Sequence, residues 1–233
     1  MGAWNAIGRR LRPWLGSRPG RSYEIASDFI KLESNIPACC KLPLAAPELN
    51  TAAHLRNLPK KPDNARLGGR NRHKWALRLP DRGDREILRR WPEMTAFLDA
   101  FPGECIYAHV AQMLPSAKLG IHRDGVDTQG NVQEHYDLFN ATLRFHLPLQ
   151  TSDHVHVYSD GQLYNMREGE IWMLDNMKPH AVVNDDSSVV RVHLIFDVVP
   201  NAETMALIAQ ADTSLGSGDP EKIARFWPDR RAA

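Results

Sequence analysis

The stretch "VVRVHLIFDVV" (residues 189–199) has the pattern of a buried β-strand with charge on one side only. Side chains alternate between the two faces of a strand. One face is apolar and comprises Val190, Val192, Leu194 and Phe196. The other face comprises Arg191, His193, Ile195 and Asp197. A buried guanidinium without an anion is costly in free energy, so the fold or a ligand has to supply Arg191 with one.

A succession of short apolar segments precedes this strand, and each has the length and composition of a β-strand. They span residues 105–113, 118–122, 140–149, 154–159, 162–166, 170–175 and 180–184. Turn signals such as Asp160-Gly161 and Glu168-Gly169 separate many of them. Short strands at this spacing are typical of a double-sheet jelly roll or a related barrel, so we predict a β-sandwich core over residues 105–199.

Helical patterns flank this core. Residues 84–101 predict two helices, because Pro92 cannot lie inside a helix but suits the first turn of the second one. Asn201 is a suitable N-cap for a helix over residues 202–211, and Asp219-Pro220 opens a last short one. The expected organisation is a basic, flexible segment (1–22) and one domain (23–233) that consists of an N-terminal extension (23–104), the β core (105–199) and C-terminal helices (200–233).

Composition limits the classes of partner and compartment. Lys and Arg together number 29 and Asp and Glu 28, so we expect neither nucleic acid nor an anionic membrane as a partner. No apolar run approaches the roughly 18 residues that a membrane span needs. Three cysteines make an odd count without zinc-site spacing, which favours a reducing cytoplasm. The sequence leaves the oligomeric state open.

Eight of the ten histidines lie within residues 105–199. Two of them, together with one aspartate, form a set of side chains that could bind a metal ion. In "GIHRDG" the spacing of His122 and Asp124 presents both side chains to one side of an extended strand end. His180 opens a later apolar strand. Two histidines and one carboxylate leave three octahedral positions open, as in non-haem iron(II) oxygenases. The alternative is that His122 is a surface histidine beside an aspartate, Asp124, in a turn, with no metal bound.

Two strands each point an Arg-apolar-His pair inward. Arg144 and His146 in "LRFHLPL" repeat the spacing of Arg191 and His193. A dianion with a carboxylate at each end would satisfy both cations, in a site that we expect to be open to water. The alternative is that each arginine pairs with an acid of the protein, with Asp197, Asp175 and Glu170 as candidates. Arg191 lies 11 residues after His180, across a short turn, so we expect these two residues on neighbouring antiparallel strands.

Four segments in this order resemble one enzyme family: "IHRDG", "LRFHLPL", "GEIWMLDNMKPHAVVN" and "VVRVHLIFD". They are similar to the aspartyl/asparaginyl β-hydroxylases, which are Fe(II)- and 2-oxoglutarate-dependent dioxygenases, and are nearest the branch of bacterial cis-proline hydroxylases. The resemblance implies a mainly β (α+β) fold with a double-stranded β-helix core, that is, a cupin-like jelly roll, and flanking helices. It also implies that His122, Asp124 and His180 bind iron.

The same resemblance assigns the arginines to the cosubstrate. Arg191 would hold the distal carboxylate of 2-oxoglutarate, and Arg144 and His146 match positions near the carboxylate that chelates the metal. Asp124 departs from the animal peptide-hydroxylating branch, which has glycine there, and this weakens any direct transfer of that branch's specificity for peptidyl Asp or Asn.

The resulting hypothesis is a dioxygenase that uses Fe(II), 2-oxoglutarate and O2 to hydroxylate a C–H bond of an amino acid or peptidyl residue, releasing succinate and CO2. Two alternatives remain open, namely a metal-dependent isomerase or hydrolase on the same core and a non-catalytic carboxylate-binding module. In the extension, Trp75, Arg78 and Arg82 are expected to cover the mouth of the barrel.

Overall fold

The computed structural model describes residues 9–11, 23–25, 29–64, 71–127, 129–133, 135–224 and 226. Apart from 9–11, the basic segment 1–22 lies outside these residues, and with it the expectation about its flexibility. None of the helices in the described ranges is long and apolar enough to cross a membrane. The described chain is mostly β, as the strand pattern predicted.

Within the described ranges, the strands form three antiparallel sheets. Two short strands, β1 (Arg9–Leu11) and β2 (Tyr23–Ile25), pair with each other. The large sheet has the order β3 (Cys39–Ala45), β11 (Glu170–Leu174), β8 (Leu143–Gln150), β13 (Arg191–Val199), β6 (Glu104–Met113), β4 (Arg72–Leu79) and β5 (Gly83–Asp84). The small sheet has the order β10 (Gln162–Tyr164), β9 (Val155–Ser159), β12 (His180–Asn184) and β7 (Lys118–His122).

Short helices lie between and after the strands. They are α1 (Thr51–Arg56), α2 (Glu86–Arg89), α3 (Pro92–Ala100), α4 (Tyr136–Ala141), α5 (Ala202–Ala209) and α6 (Pro220–Ala224), together with a 3-10 helix at Lys31–Glu33. Pro92 occupies the first turn of α3, and the Asn201 side chain accepts a hydrogen bond from the Thr204 backbone N–H of α5 at 2.9 Å. Both helix-start predictions are therefore confirmed.

From β6 to β13 the chain alternates between the two larger sheets. Four of these eight strands belong to the large sheet and four to the small one, and residues from both sheets share one apolar cluster. This is the two-sheet arrangement of a jelly roll, which confirms the predicted fold class.

Two local expectations are wrong. His180 and Arg191 do not lie on neighbouring strands, because β12 belongs to the small sheet and β13 to the large one. The short connection between them carries the chain across the sandwich, as jelly-roll connections do. The strand predicted from residue 140 begins at Leu143, because Asn140 and Ala141 end helix α4.

The two faces of the large sheet are buried against different partners. Its outer face packs against α2, α3 and α5 through the largest apolar cluster, which includes the predicted apolar residues Val192, Leu194 and Phe196. Phe196 is fully buried, with its ring centroid 4.9 Å from that of Phe101 and 5.5 Å from that of Phe145. The inner face looks toward the small sheet, and the alternation of β13 leaves Arg191 and His193 on that side.

We predict that Phe196→Ala lowers the free energy of unfolding by about 3–5 kcal/mol, because it removes a buried ring from a packed aromatic cluster. Urea denaturation followed by tryptophan fluorescence measures the change. Leu215→Ala serves as a control, since Leu215 is 42% exposed and its loss is expected to change stability by less than about 0.5 kcal/mol. Equal losses for the two variants would contradict the assignment of Phe196 to the core.

Candidate metal centre

The structure brings the three predicted metal-ligating residues together. His122 at the end of β7 is directly opposite His180 at the start of β12, and their ring centroids are 4.2 Å apart. Asp124 follows two residues after β7, with its Oδ1 3.7 Å from the Nε2 of His122. The ligand atoms of all three residues lie within 4.8 Å of one another, which suits a single metal ion.

Backbone carbonyls fix the orientation of both imidazoles. His122 Nδ1 lies 2.9 Å from the carbonyl oxygen of Gly120, and His180 Nδ1 lies 3.0 Å from that of Lys178. Because a carbonyl only accepts, each Nδ1 bears the proton and each Nε2 keeps its lone pair. Burial lowers the pKa of His180 to about 4, so this imidazole is neutral at pH 7. The Nε2 atoms of both histidines are thus the ones available to a metal ion.

The carboxylate of Asp124 is held through one of its two oxygens. Oδ2 accepts hydrogen bonds from Arg144 Nη1 and from Asn176 Nδ2, the latter at 3.0 Å. The backbone N–H of Asp124 also donates to the carbonyl of Asn176 at 2.8 Å. Burial would raise the pKa of Asp124, but the Arg144 guanidinium, the two histidines and the hydrogen bond from Asn176 together outweigh it and hold this pKa well below its usual range. Asp124 is therefore ionised, and Oδ1 remains for a metal.

Arg144 is paired with acids of the protein. Its Nε and Nη2 donate to the two oxygens of Asp197 at 2.7 and 2.8 Å, in addition to the bond with Asp124. Although burial alone would lower it, the pKa of Arg144 is raised by these two carboxylates. The sequence left open whether each arginine pairs with an acid of the protein or with a ligand. The structure shows that Arg144 pairs with acids of the protein. Three of its five N–H groups are used in these bonds.

Arg191 has a different environment. In the described part of the chain no carboxylate lies within ion-pair distance of it; its Nη2 donates to His193 Nδ1 at 2.8 Å, and its buried Nε has no partner. Burial lowers the pKa of Arg191 to about 9, and no charged neighbour offsets this. Arg191 is 4% exposed, so the expectation of a site open to water is wrong at this end.

His146 lies between these groups. It is buried, its Nδ1 is 3.5 Å from His193 Nδ1, and its Nε2 has no hydrogen-bond partner among the described residues. Burial, followed by the positive charges of Arg191 and Arg144, holds the pKa of His146 well below its usual value. These neighbours show that His146 is within electrostatic reach of both Arg191 and the three-residue group.

A cavity of about 590 Å³ opens beside Asp124 and Arg144. Its wall includes Lys74, Arg82, Tyr107, His109, Leu138 and Phe139. Of the three extension residues expected at the barrel mouth, only Arg82 lines this cavity. Trp75 packs in the outer core, and Arg78 is bound to Asp84 and Asp99, so those two expectations are wrong.

Three residues of the site were not assigned to it from the sequence. His193 had a visible signal, since it shares a strand face with Arg191. Asn176 and Lys31 had none, because an amide and a lysine in irregular segments have no periodicity to reveal burial. Lys31 is 2% exposed, and its Nζ donates to Asn176 Oδ1 at 2.7 Å.

Comparison with known proteins gives one family match and several similar folds. The sequence profile of the aspartyl/asparaginyl β-hydroxylases matches residues 46–200, which is more than half of the chain. HygX from Streptomyces hygroscopicus, solved with nickel, 2-oxoglutarate and hygromycin B bound, is 11% identical over 72% of this chain and 85% of that chain, with a TM-score of 0.47.

Two further solved structures are more distant in fold. An oxidoreductase of the 2OG-Fe(II) oxygenase family from Burkholderia pseudomallei is 13% identical over 63% of this chain and 74% of that chain, with a TM-score of 0.41. The viral collagen prolyl hydroxylase from Paramecium Bursaria Chlorella virus-1 is 14% identical over 58% of this chain and 84% of that chain, with a TM-score of 0.36. The family match over residues 46–200 is therefore the finding that bears on assignment.

We predict that Asp197→Ala destabilises the fold by about 3–5 kcal/mol, because it leaves two N–H groups of the half-buried Arg144 without an acceptor. Chemical denaturation of the metal-free protein measures this loss. Glu86→Ala is the matched control: it breaks the exposed pair of Glu86 with Arg90, and a change of less than about 1 kcal/mol is expected. Equal losses in the two variants would show that the Arg144–Asp197 pair is not part of the framework.

Proposed function

The chain belongs to the aspartyl/asparaginyl β-hydroxylase family, and we propose that it is an Fe(II)- and 2-oxoglutarate-dependent dioxygenase that hydroxylates a C–H bond of an amino acid or a peptidyl residue. One observation carries the proposal: the ligand atoms of His122, Asp124 and His180 converge to within 4.8 Å. Two neutral imidazoles and a carboxylate are the donor set of non-haem iron(II) oxygenases, and they leave three octahedral positions open.

In this proposal the three residues hold the iron. Bound iron(II) supplies the redox chemistry by which O2 oxidises 2-oxoglutarate to succinate and CO2 and one oxygen atom enters the substrate C–H bond. The protein contributes the fixed donor geometry. The carbonyls of Gly120 and Lys178 aim the imidazoles, and Arg144 with Asn176 restricts Asp124 to its Oδ1.

Arg191 and His193 would hold the distal carboxylate of the cosubstrate. Arginine only donates, so the atom of His193 that faces it, Nδ1, must accept, and the proton of this neutral imidazole lies on Nε2. The Nε2–H of His193 and the Nε–H of Arg191 are then two buried donors without an acceptor among the described residues. Buried donors left unpaired are costly, and a carboxylate would satisfy both.

His146 and Arg144 would serve the carboxylate of 2-oxoglutarate nearer the metal. What supports His146 is its buried Nε2 without a described partner and its position next to His193, the residue that accepts from Arg191. Arg144 keeps two N–H groups beyond its bonds to Asp124 and Asp197, and its charge lies next to a metal ligand.

The cavity beside Asp124 supports a small substrate. Its volume of about 590 Å³ is within the range of small-molecule sites, and its wall combines charged side chains with Leu138 and Phe139. An amino acid or a single residue of a peptide fits such a space. The three cysteines are free and buried, which supports a cytoplasmic location.

We predict that the purified protein, supplied with Fe(II), ascorbate and O2, converts 2-oxoglutarate to succinate, and that His180→Ala abolishes this turnover because it removes a metal ligand. Succinate is quantified by mass spectrometry, and a panel of amino acids and short peptides is screened for a gain of one oxygen atom. The control is His154→Ala, which alters an exposed histidine and should leave turnover unchanged. Equal succinate from wild type and His180→Ala would exclude the dioxygenase and favour the isomerase, the hydrolase or the binding module.

We also predict that Arg191→Met weakens 2-oxoglutarate binding about 10- to 100-fold, the effect expected when one charge-assisted hydrogen bond of about 1.5–3 kcal/mol is lost. Calorimetric titration of the Ni(II)-loaded protein in the absence of O2 measures it, together with Ni(II) affinity, which should not change. Arg89→Met, on the exposed side of α2, is the control. Binding of 2-oxoglutarate at equal strength without any metal would instead indicate a carboxylate-binding module.

A further inference from the structure

A buried lysine lies behind the candidate metal centre. Lys31 belongs to the 3-10 helix Lys31–Glu33, is 2% exposed, and donates from Nζ to Asn176 Oδ1 at 2.7 Å. Lysine is rarely buried this fully, since its charge must leave water. Burial lowers the pKa of Lys31 to about 8, and Asp175, Asp197 and Asp124 oppose the shift. The position of this ammonium therefore needs a physical reason.

The amide of Asn176 joins Lys31 to Asp124. An ammonium group only donates, so the atom of Asn176 that faces Lys31 must be Oδ1. An ionised carboxylate only accepts, so the atom that faces Asp124 Oδ2 must be Nδ2. Lys31 and Asp124 thus require the same orientation of the Asn176 amide, which could otherwise flip so that its oxygen and nitrogen exchange places.

The orientation of this amide decides which oxygen of Asp124 is available. With Nδ2 toward Asp124, Oδ2 is held by Asn176 and by Arg144, and Oδ1 is left for the metal. With the amide reversed, Oδ1 of Asn176 would face a carboxylate oxygen, and two acceptors would repel each other. Lys31 adds to this penalty, because in the reversed orientation its ammonium group would face the N–H groups of Asn176 and lose its acceptor.

The helix that bears Lys31 is itself fixed to the core. The backbone N–H of Leu32 donates to Asn140 Oδ1 at 3.0 Å, and the Ser34 hydroxyl donates to the carbonyl of Ile30 at 2.8 Å. Asn140 is a buried residue of α4, the helix whose Leu138 and Phe139 line the cavity. Lys31 also lies before residues 46–200, the segment that matches the family.

We propose that Lys31 is a positioning residue of the metal centre, which orients the Asn176 amide and thereby commits Asp124 to bind the metal through Oδ1. This inference rests on the proposed function, since it presumes a metal at His122, Asp124 and His180. Lys31 does not touch the metal or the cosubstrate. Its effect is transmitted through one hydrogen-bonded amide.

The experiment measures the affinity of the metal-free protein for Co(II), from its d–d absorption and by calorimetry. We expect Lys31→Met to weaken Co(II) binding about 10-fold, the lower end of what loss of a ligand-orienting group costs. Asn176→Ala should weaken it similarly, and the double variant no further, because both changes remove one pathway. Lys118→Met, on the strand of His122 but exposed, should bind Co(II) like wild type.

Unfolding of each variant in EDTA separates a structural role from a positioning role. A purely structural Lys31 would lower the free energy of unfolding while the folded protein keeps its Co(II) affinity and spectrum, and this result would overturn the inference. The inference would also be overturned if the double variant lost Co(II) affinity by the product of the two single losses, because the two residues would then act independently. If Lys31→Met does not yield folded protein, Lys31→Gln takes its place, since a neutral amide can face Asn176 in either orientation, and unchanged Co(II) affinity would again refute the inference.

Failure of the proposed function gives a different result. If wild type binds no Co(II), or His180→Ala binds it equally well, the metal centre itself is wrong and the role of Lys31 falls with it. If wild type binds Co(II), His180→Ala does not, and the Lys31 variants match wild type, only the positioning role is wrong.

Discussion

A guanidinium that leaves water is costly in free energy unless an anion lies within hydrogen-bond reach, and the arginines on the neighbouring strands β8 and β13 differ in whether the chain supplies one. Arg144 is bound to Asp197 and Asp124, both acids of the protein. Arg191 has no carboxylate of the described chain, and only His193 accepts from it. Arg144 is consequently part of the framework whatever is bound, whereas Arg191, on the proposed function, would take its anion from outside the chain.

The Arg144 pairs also connect Asp124, the carboxylate of the candidate metal centre, to the sheet behind it. Arg144 and Asp197 lie opposite each other on β8 and β13 of the large sheet, while Asp124 follows β7 of the small sheet. One guanidinium therefore joins the two layers of the sandwich at the position where the ligand atoms converge. His122 and His180 need no such link, because they are paired in register on neighbouring strands of the small sheet.

The fold class could be predicted from the sequence, because the short alternating strands give a strong local pattern. The alternation in β13 separated the outer face with Leu194 and Phe196 from the inner face with Arg191. The spacing of His122 and Asp124 predicted that these two side chains lie together, and the structure brings them within reach of His180. Alternation does not specify which sheet a strand joins, and so His180 and Arg191 were wrongly expected on neighbouring strands. Contacts made by irregular segments left no pattern at all, which is why Lys31 and Asn176 were not found.

The opposite charges of iron(II) and 2-oxoglutarate have a consequence for this buried site. Metal alone adds two positive charges beside Arg144 and His180, and the diacid alone adds two negative charges beside Asp124. Both together leave the net charge of the site unchanged. Each ligand thus offsets the electrostatic cost of the other in a region of low dielectric constant, and the coupling between two equilibrium binding steps is reciprocal. On the proposed function, the metal centre and the Arg191 pocket therefore behave as one site, although they lie on opposite sheets of the sandwich.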